Sequence, residues 1–570
     1  MDSFLAGRLA AVVRTSLVLA PLVLHAGAMA QALPDAGSLT REDKREPAPP
    51  PPSSTRLVPA PRPASAPAGG TRFVVHQFRL EGVTLVPEAE LQAVLAPWRD
   101  RTLTFADLQL AEQALADAYR RAGWMARPEL PAQDVVDGVV RLRMVEARLG
   151  QVRIDADTAA LRFDSQRLTQ ALQARQQPGQ PLRPGDLERA VNILNDTPGL
   201  RTAAVLAPGR DPGDTDVVLK PVDQPLTATS VQLDNSAPRA TGSTRLAVDL
   251  ALNDPLGIGD QALLAGSSTG GTNDFVSAGY SVPVGRDGLR AGVDASAMSY
   301  RLESAFAPLG AHGTSKTLGA WLAYPLLRAG ASNVALRLSA EHDEFRNVAA
   351  GAVVSDKRLD GATAGLNGDD QRGDGSTSWG IAANVGRVDL TGNAVNQAAD
   401  QAGPRTAGYY ARLNWNLGRL QALPQAGLLW IAANGQVADK NLDSSAKFSL
   451  GGVDGVRAYP ALEGTGDNGW LASAEWRYNL RPELQGLAFY DEGQVKVDQD
   501  ASYAGASVLQ RITLKGAGLG LNWSPADRYS VHVAVAHRLG SNPLADATTG
   551  KDSDGSLRRT RLWLSVRATF

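Results

Sequence analysis

Residues 224–570 run as a succession of segments in which apolar and polar side chains alternate, separated by Gly, Asn, Asp and Pro, with no helical period among them. Val334, Leu336, Leu338 and Ala340 alternate with Arg337, Ser339 and Glu341; Tyr409, Ala411, Leu413, Trp415 and Leu417 alternate with Arg412, Asn414 and Asn416. Ala472, Ala474, Trp476, Tyr478 and Leu480 alternate with Ser473, Glu475, Arg477 and Asn479. Successive side chains on a strand point to opposite faces, so each segment has one greasy and one polar side. A soluble sandwich satisfies this pattern as well as a membrane barrel does. Three features favour the barrel: an export signal, aromatics at strand ends (Trp415, Trp476, Tyr478, Trp523), and a last strand with Leu562, Leu564, Val566, Ala568 and Phe570 on one face. At ~21 residues for a strand and its connection, the region holds about 16 antiparallel strands.

The export signal occupies residues 1–30. Arg8 and Arg14 give a positive start, Leu17 to Leu24 an apolar core, and Ala28-Met29-Ala30 a small-residue cleavage site. The apolar run is too short for the ~20 residues of a membrane anchor. No later run is long enough either, and a mean hydropathy of −0.18 is too polar for a helical membrane bundle. A barrel tolerates it, because half of each strand faces water. With 57 Lys and Arg against 59 Asp and Glu there is no overall basic footprint, which argues against a nucleic-acid partner. The absence of cysteine removes thiolate zinc sites, cysteine nucleophiles and disulfides together.

Four regions separate the export signal from the barrel. Residues 31–46 contain Ser38 to Glu46, a stretch without Gly or Pro that suits a short helix; Pro47 stops it. Residues 47–70 are proline-rich, either a polyproline-like tether reaching roughly 70 Å or a plain spacer. In residues 71–149, Arg72 to Leu80 and Val139 to Val145 read as strands, and Glu88 to Leu95 as a short helix. Thr104-Phe-Ala-Asp107 is a capping box opening a helix with Leu108, Ala111, Leu115, Ala118 and Tyr119 on its apolar side. Residues 150–223 repeat that order, with strands at Val152–Ile154, near Ala203 to Leu206 and near Asp216 to Lys220. Its helices are Asp164 to Arg175 and Asp186 to Leu194. Two tandem α+β units are the natural reading.

Catalytic motifs are weak. Gly266-Ser-Ser-Thr-Gly270 fits G-x-S-x-G, but no helical segment follows it as a nucleophile elbow needs. His532 and His537 are expected on opposite strand faces. Asn367 to Gly375 is rich in Asp and Gly but lacks the spacing and terminal Glu of a calcium loop, and Arg372-Gly-Asp374 inside it reads as a solvated loop tip. Gly516, Gly518 and Gly520 alternate within a strand, thinning the wall or making room for a packed segment. No cofactor or metal is called for. Two segments stand out. Gly451-Gly-Val-Asp-Gly-Val-Arg-Ala-Tyr-Pro460 presents one Arg457 among small residues, and Phe489-Tyr-Asp-Glu-Gly493 carries Asp491 on the same face as Leu487 and Phe489. A carboxylate among apolar neighbours needs a partner, and a guanidinium is the strongest available. The residues alone leave open a surface turn and an unrelated strand end.

Over nearly its full mature length the chain resembles the outer-membrane transporters of two-partner (type Vb) secretion, the haemolysin secretion/activation proteins of the larger barrel-assembly superfamily. Val456-Arg457-Ala458-Tyr459 is similar to the V-R-G-[YF] motif of the sixth extracellular loop, and Phe489, Asp491 and Gly493 match the F-x-D-x-G strand motif. Leu187 to Gly199 resembles the L-E-R-x-L-L-L-L-N-D-x-P-G stretch of the second polypeptide-transport-associated (POTRA) domain, and Asn253 to Asp260 the first-hairpin N-P-L-G-x-G-D. Pro34 to Glu42 resembles the mature N-terminus, whose helix plugs the pore. The resemblance implies two periplasmic POTRA domains, a 16-stranded outer-membrane barrel over residues 224–570, and Arg457 at the tip of an infolded loop, paired with Asp491 on the wall. It also implies a large secreted exoprotein partner, haemolysin- or adhesin-like and β-helical, and no enzymatic activity; a barrel-assembly factor or a passive porin is the alternative. Ala458 replaces the motif glycine, a costly change if that position needs a positive φ.

Overall fold

The computed structural model describes residues 33–44, 72–155, 161–424, 427–526 and 528–570. The expected signal peptide, residues 1–30, and the proline-rich tether, residues 47–70, lie outside them.

Helix α1 spans Ala36–Asp43 and is capped by Asp35, whose side chain accepts from Ser38 N while Ser38 Oγ accepts from Asp35 N. It begins two residues before the expected start because Asp35 is the better N-cap. The first small domain then comprises β1 (Phe73–Val75), β2 (Gln77–Glu81), α2 (Glu88–Leu95), β3 (Arg101–Leu103), α3 (Phe105–Arg121), β4 (Ala126–Glu129) and β5 (Val139–Glu146). The expected capping box forms at Thr104 and Asp107, and Leu108, Ala111, Leu115 and Tyr119 are buried. The strand expected over Arg72 to Leu80 is broken at His76. There β1 pairs with β3, whereas β2 runs parallel to β5. Glu146 ties the domain together, accepting from Thr84 N at 2.7 Å, Leu85 N at 2.9 Å and Tyr119 OH at 2.8 Å. Burial opposes its ionisation, but these donors outweigh burial and hold its carboxyl below the usual range.

The second domain has β6 (Arg148–Ile154), α4 (Ser165–Gln173), α5 (Pro184–Asn195), β7 (Leu200–Pro208) and β8 (Asp214–Asp223). Pro184 opens α5, as suits a helix first turn where the missing N–H has no partner to lose. The sheets β2-β5-β4 and β6-β8-β7 share one topology, in which the first strand lies parallel to the last and the remaining strand antiparallel. Leu187, Ala190, Val191 and Leu194 of α5 enter the second core, as their spacing predicts.

Sixteen antiparallel strands then close into a barrel. They are β9 (Thr227–Asp234), β10 (Arg245–Asn253), β11 (Gln261–Ser268), β12 (Asn273–Val284), β13 (Leu289–Arg301), β14 (His312–Arg328), β15 (Ser332–Ala349), β16 (Ala352–Arg372), β17 (Gly375–Asp389), β18 (Gly408–Leu423) and β19 (Gly427–Ala438), followed by β22 (Asn468–Arg481), β23 (Leu484–Lys496), β24 (Arg511–Ala526), β25 (Tyr529–Arg538) and β26 (Thr560–Thr569). A short pair, β20 (Phe448–Ser449) with β21 (Thr465–Gly466), lies in the loop between β19 and β22, and helix α6 (Ala394–Ala402) lies between β17 and β18. Closure leaves no free edge, the condition for strands in lipid. The expected outward faces are exposed: Leu338 at 43%, Leu417 at 53% and Leu562 at 56%. Closure rests on a short seam, where β26 pairs with β9 from Ser565↔Asp234 to Thr569↔Ser230 and Thr229 and Phe570 exchange backbone hydrogen bonds just below. Above it the Asn235 side chain takes over, donating to Leu562 O at 2.9 Å and accepting from Leu564 N at 2.8 Å.

Two expectations are corrected. Arg372, expected in the loop tip, ends β16, since Asp369 and Asp370 are held across the sheet by Asn333 and Ser332; Gly373-Asp374 is the turn. That turn lies on the barrel end that carries the small domains. Trp415 stands mid-strand in β18 rather than at its end, whereas Tyr478 and Trp523 lie near strand ends.

The second domain docks on the near rim through charge pairs. Arg328 makes a two-pronged pair with Asp196, both bonds 2.7 Å, and Asp287 in the β12–β13 turn receives Arg175, Arg189 and the Tyr324 hydroxyl. Gly199 ends the Leu187 to Gly199 stretch with φ +79°, and a Cβ there would lie 2.8 Å from that of Asp254. The helix-ending stretch and the first barrel hairpin are therefore in direct contact.

Candidate functional site

The loop of residues 439–467 is the sixth on the far end of the barrel, and its glycines fold it inward. A Cβ at Gly451 would lie 2.1 Å from Pro460 O, and one at Gly455 would lie 2.0 Å from Leu450 O. Only glycines permit the tight crossing, which Val456 N closes by donating to Leu450 O at 2.7 Å.

This crossing delivers Arg457 to the wall, where it is only 8% exposed. Its Nε donates to Asp491 Oδ2 at 2.8 Å and its Nη2 to Asp491 Oδ1 at 2.8 Å, a forked pair. Nη1 donates to Glu475 Oε2 at 2.7 Å, and the backbone N–H of Arg457 reaches Asp491 Oδ2 at 3.2 Å. Ser473, paired with Asp491 across β22 and β23, donates to Asp491 Oδ1 at 2.7 Å. The guanidinium lies 3.4 Å from the Phe489 ring centroid, and Trp563 Nε1 donates to Arg457 O at 2.7 Å. Burying these charges is tolerable because every prong of the fork has an acceptor.

All the residues of the two expected motifs meet here. Phe489 is the platform and Asp491 the fork's acceptor. A Cβ at Gly493 would lie 2.7 Å from Leu450 Cδ2, so this glycine seats the loop. Val456, Ala458 and Tyr459 are fully buried with Leu450, Leu487, Phe489, Ile512 and Leu514. The lumen is therefore dry on this side, where alternation alone suggested a wet interior throughout. Ala458 lies outside the positive-φ region, so its methyl group carries no backbone strain. Sequence reasoning did not single out Ser473, Glu475, Trp563 or Arg538, whose guanidinium lies 4.5 Å from the Tyr459 ring centroid. Ser473 and Glu475 were visible only as members of a polar face; Trp563 had a signal, a large aromatic on the polar phase of the last strand.

Helix α1 occupies another part of the lumen. Ala36 N donates to Asn347 Oδ1 at 2.9 Å, Thr40 Oγ1 meets Ser315 Oγ at 2.6 Å, and Lys44 Nζ donates to Thr317 Oγ1 at 2.9 Å. Lys357 Nζ bridges Asp35 at 3.5 Å and Asp443 of the inward loop at 2.7 Å. His532 faces inward and His537 outward, while Gly266 to Ser268 belong to β11.

A closed barrel with a polar interior, a loop and a helix held inside it, and two α+β domains at one mouth defines an outer-membrane polypeptide transporter of the POTRA-barrel class. Residues 213–523 match the haemolysin secretion/activation protein ShlB/FhaC/HecB family, and residues 73–147 match the ShlB-type POTRA domain. The chain belongs to the haemolysin secretion/activation family, the outer-membrane transporters of two-partner secretion, and its POTRA domains lie in the periplasm. It is similar to the heme/hemopexin transporter protein HuxB of Haemophilus influenzae (strain 86-028NP), 27% identical over 574 residues that cover 96% of this chain and 97% of that one. It is also similar to the outer membrane transporter CdiB of Escherichia coli, 25% identical over 82% of this chain and 79% of that one. The solved structure of CdiB from Escherichia coli shares the fold, with a TM-score of 0.68 at 21% identity over 94% of this chain and 96% of that one. BamA from Haemophilus ducreyi lacking POTRA domains 1–3 follows at a TM-score of 0.52 and 13% identity, over 88% of this chain and 100% of that one. The family consists of transporters and secretion proteins rather than enzymes.

Proposed function

We propose that the chain exports one partner exoprotein of haemolysin- or adhesin-like, β-helical type, unfolded and without ATP, with Arg457 holding the gating loop. The partner meets the POTRA domains, where a free sheet edge such as β7 accepts an extended segment. It then passes the polar part of the lumen, where the Arg, Glu, Asn and Ser groups meet its backbone, and folding outside prevents its return. Helix α1 is the resting plug and the loop carrying Arg457 the second obstruction. The observation that carries this reading is Lys357, which joins Asp35 of the helix cap to Asp443 of the loop and so couples the two occupants. The outer wall is suited to lipid by its band of exposed Leu, Val and aromatic side chains. The test is secretion of a co-expressed exoprotein from the neighbouring reading frame. It should reach the medium with this chain and remain in the periplasm with Arg457→Ala; export by that variant at the unsubstituted level overturns the assigned role.

A further inference from the structure

A cavity of about 430 Å3 lies between the second POTRA domain and the periplasmic rim of the barrel. Phe163 and Ile193 line it from the POTRA side, and Pro283 and Pro325 from the barrel. Val276 and Val284 are exposed on the outer face of β12, and Leu318 and Leu322 on that of β14, so alternation turns Pro283 and Pro325 toward the lumen mouth. Its walls are fixed by the Arg328–Asp196 and Arg189–Asp287 pairs, so the space is preformed.

Its charge is one-sided. Arg290 donates to Gly259 O and Ser281 Oγ, both at 2.9 Å and both neutral acceptors, and Arg286 is exposed at the edge of the cavity. The carboxylates nearby are committed: Asp196 to Arg328, and Asp164 to capping α4 through Gln166 N at 2.9 Å. An apolar cavity of this size, edged by the exposed Arg286 and by Arg290, whose hydrogen bonds go to neutral acceptors while Asp260, which accepts from the Tyr280 hydroxyl, acts on it only through space, fits an apolar side chain with an anion beside it.

We propose that this cavity receives the exported polypeptide as it leaves the POTRA domains, taking one large apolar side chain from an extended segment that carries an Asp or Glu next to it. The occupant is the cargo because the cavity lies where the second POTRA domain meets the lumen mouth; this rests on the export reading above. The site holds each such segment briefly and presents the next residues to the lumen.

Fluorescent 20-residue peptides test it on the full-length protein in detergent, one alternating Leu or Phe with Asp or Glu, the other carrying Lys in place of the acids. The acidic peptide should bind and the basic one should not. Ala171→Trp, which fills the cavity, should abolish binding of the apolar side chain, and Arg286→Glu should weaken binding about tenfold, the loss of one charge-assisted contact. Heat-modifiable migration on gels serves as the folding control. Equal binding of both peptides, or binding indifferent to Ala171→Trp, overturns the proposal, as does retention of phosphatidylglycerol in place of the peptide. Because binding is read without secretion, an exporting protein that binds neither peptide sinks the cavity assignment alone. Absence of export by the unsubstituted protein sinks the functional reading instead.

Discussion

The methyl group of Ala458 fills the space that a side chain at Gly516 would need: a Cβ built on Gly516 lies 2.6 Å from the Cβ of Ala458. The loop tip and the lumen wall are thus fitted to each other atom by atom, and the glycine that matters at this contact is the one on the wall. Gly516→Val should leave the barrel assembled but displace the tip, lowering export and raising ion conductance in planar bilayers. Ala458→Gly should have little effect on either, because residue 458 needs no left-handed backbone.

Removing the Arg457 side chain strands Asp491, which is fully buried, and leaves Glu475 with Arg477 alone. Arg457→Ala should cost about 3–5 kcal/mol locally, and Arg457→Lys should rescue little because a single ammonium cannot span the fork. In a double-mutant cycle, Arg457→Ala with Asp491→Ala should destabilise less than the sum of the single changes. Thermal unfolding followed by heat-modifiable migration measures this.

Lys357 is the shared counter-charge of Asp35 and Asp443. Lys357→Met should release α1 and the loop together, so openings in planar bilayers become longer and more frequent. Deleting residues 31–46 should raise conductance through loss of the plug alone. Unchanged conductance in both variants would leave the helix without a gating role.

Asp287 sets the pH response of the POTRA–barrel junction. Burial works against its charge, but Arg175, Tyr324 and Arg189 prevail and hold its carboxyl far below the usual carboxylate range. A depressed carboxylate stabilises docking at any pH above its free value near 3.8 and loses that effect only as pH falls through the depressed one. Docking should therefore be constant from pH 5 to 8, whereas Asp287→Asn should loosen it at pH 7. The chain has no cysteine, so spin labels at Gln177→Cys and Asp374→Cys report the distance without background.

Much of the architecture is written in periodicities. The alternation around Glu475 and Trp476 assigns both faces of β22, and the spacing of Leu187, Val191 and Leu194 gives the packed side of α5. Local patterns do not say what fills a lumen. Leu487, Phe489 and Leu514 face inward against a loop that is close only in three dimensions, so no window around them distinguishes them from lipid-facing residues. Arg457 was found because a glycine-rich break in alternation isolates it. Ser473, on a regular strand, offers no such break, and its role comes from register with Asp491. The division of Arg72 to Leu80 at His76 likewise depends on distant partners, β3 and β5.

The barrel wall is uneven in height. β16 spans 21 residues, whereas β9 and β11 span eight each and β26 ten. Eight residues rising ~3.3 Å apiece and tilted ~45° stand about 19 Å tall, short of the ~25 Å apolar band usual for such barrels. Acyl chains beside β9 and β11 must shorten or splay to keep their ends out of water, and on the β16 side they need not. The protein thus imposes a gradient of bilayer thickness around its own circumference, with its thinnest lipid along the seam where the first and last strands share the fewest bonds.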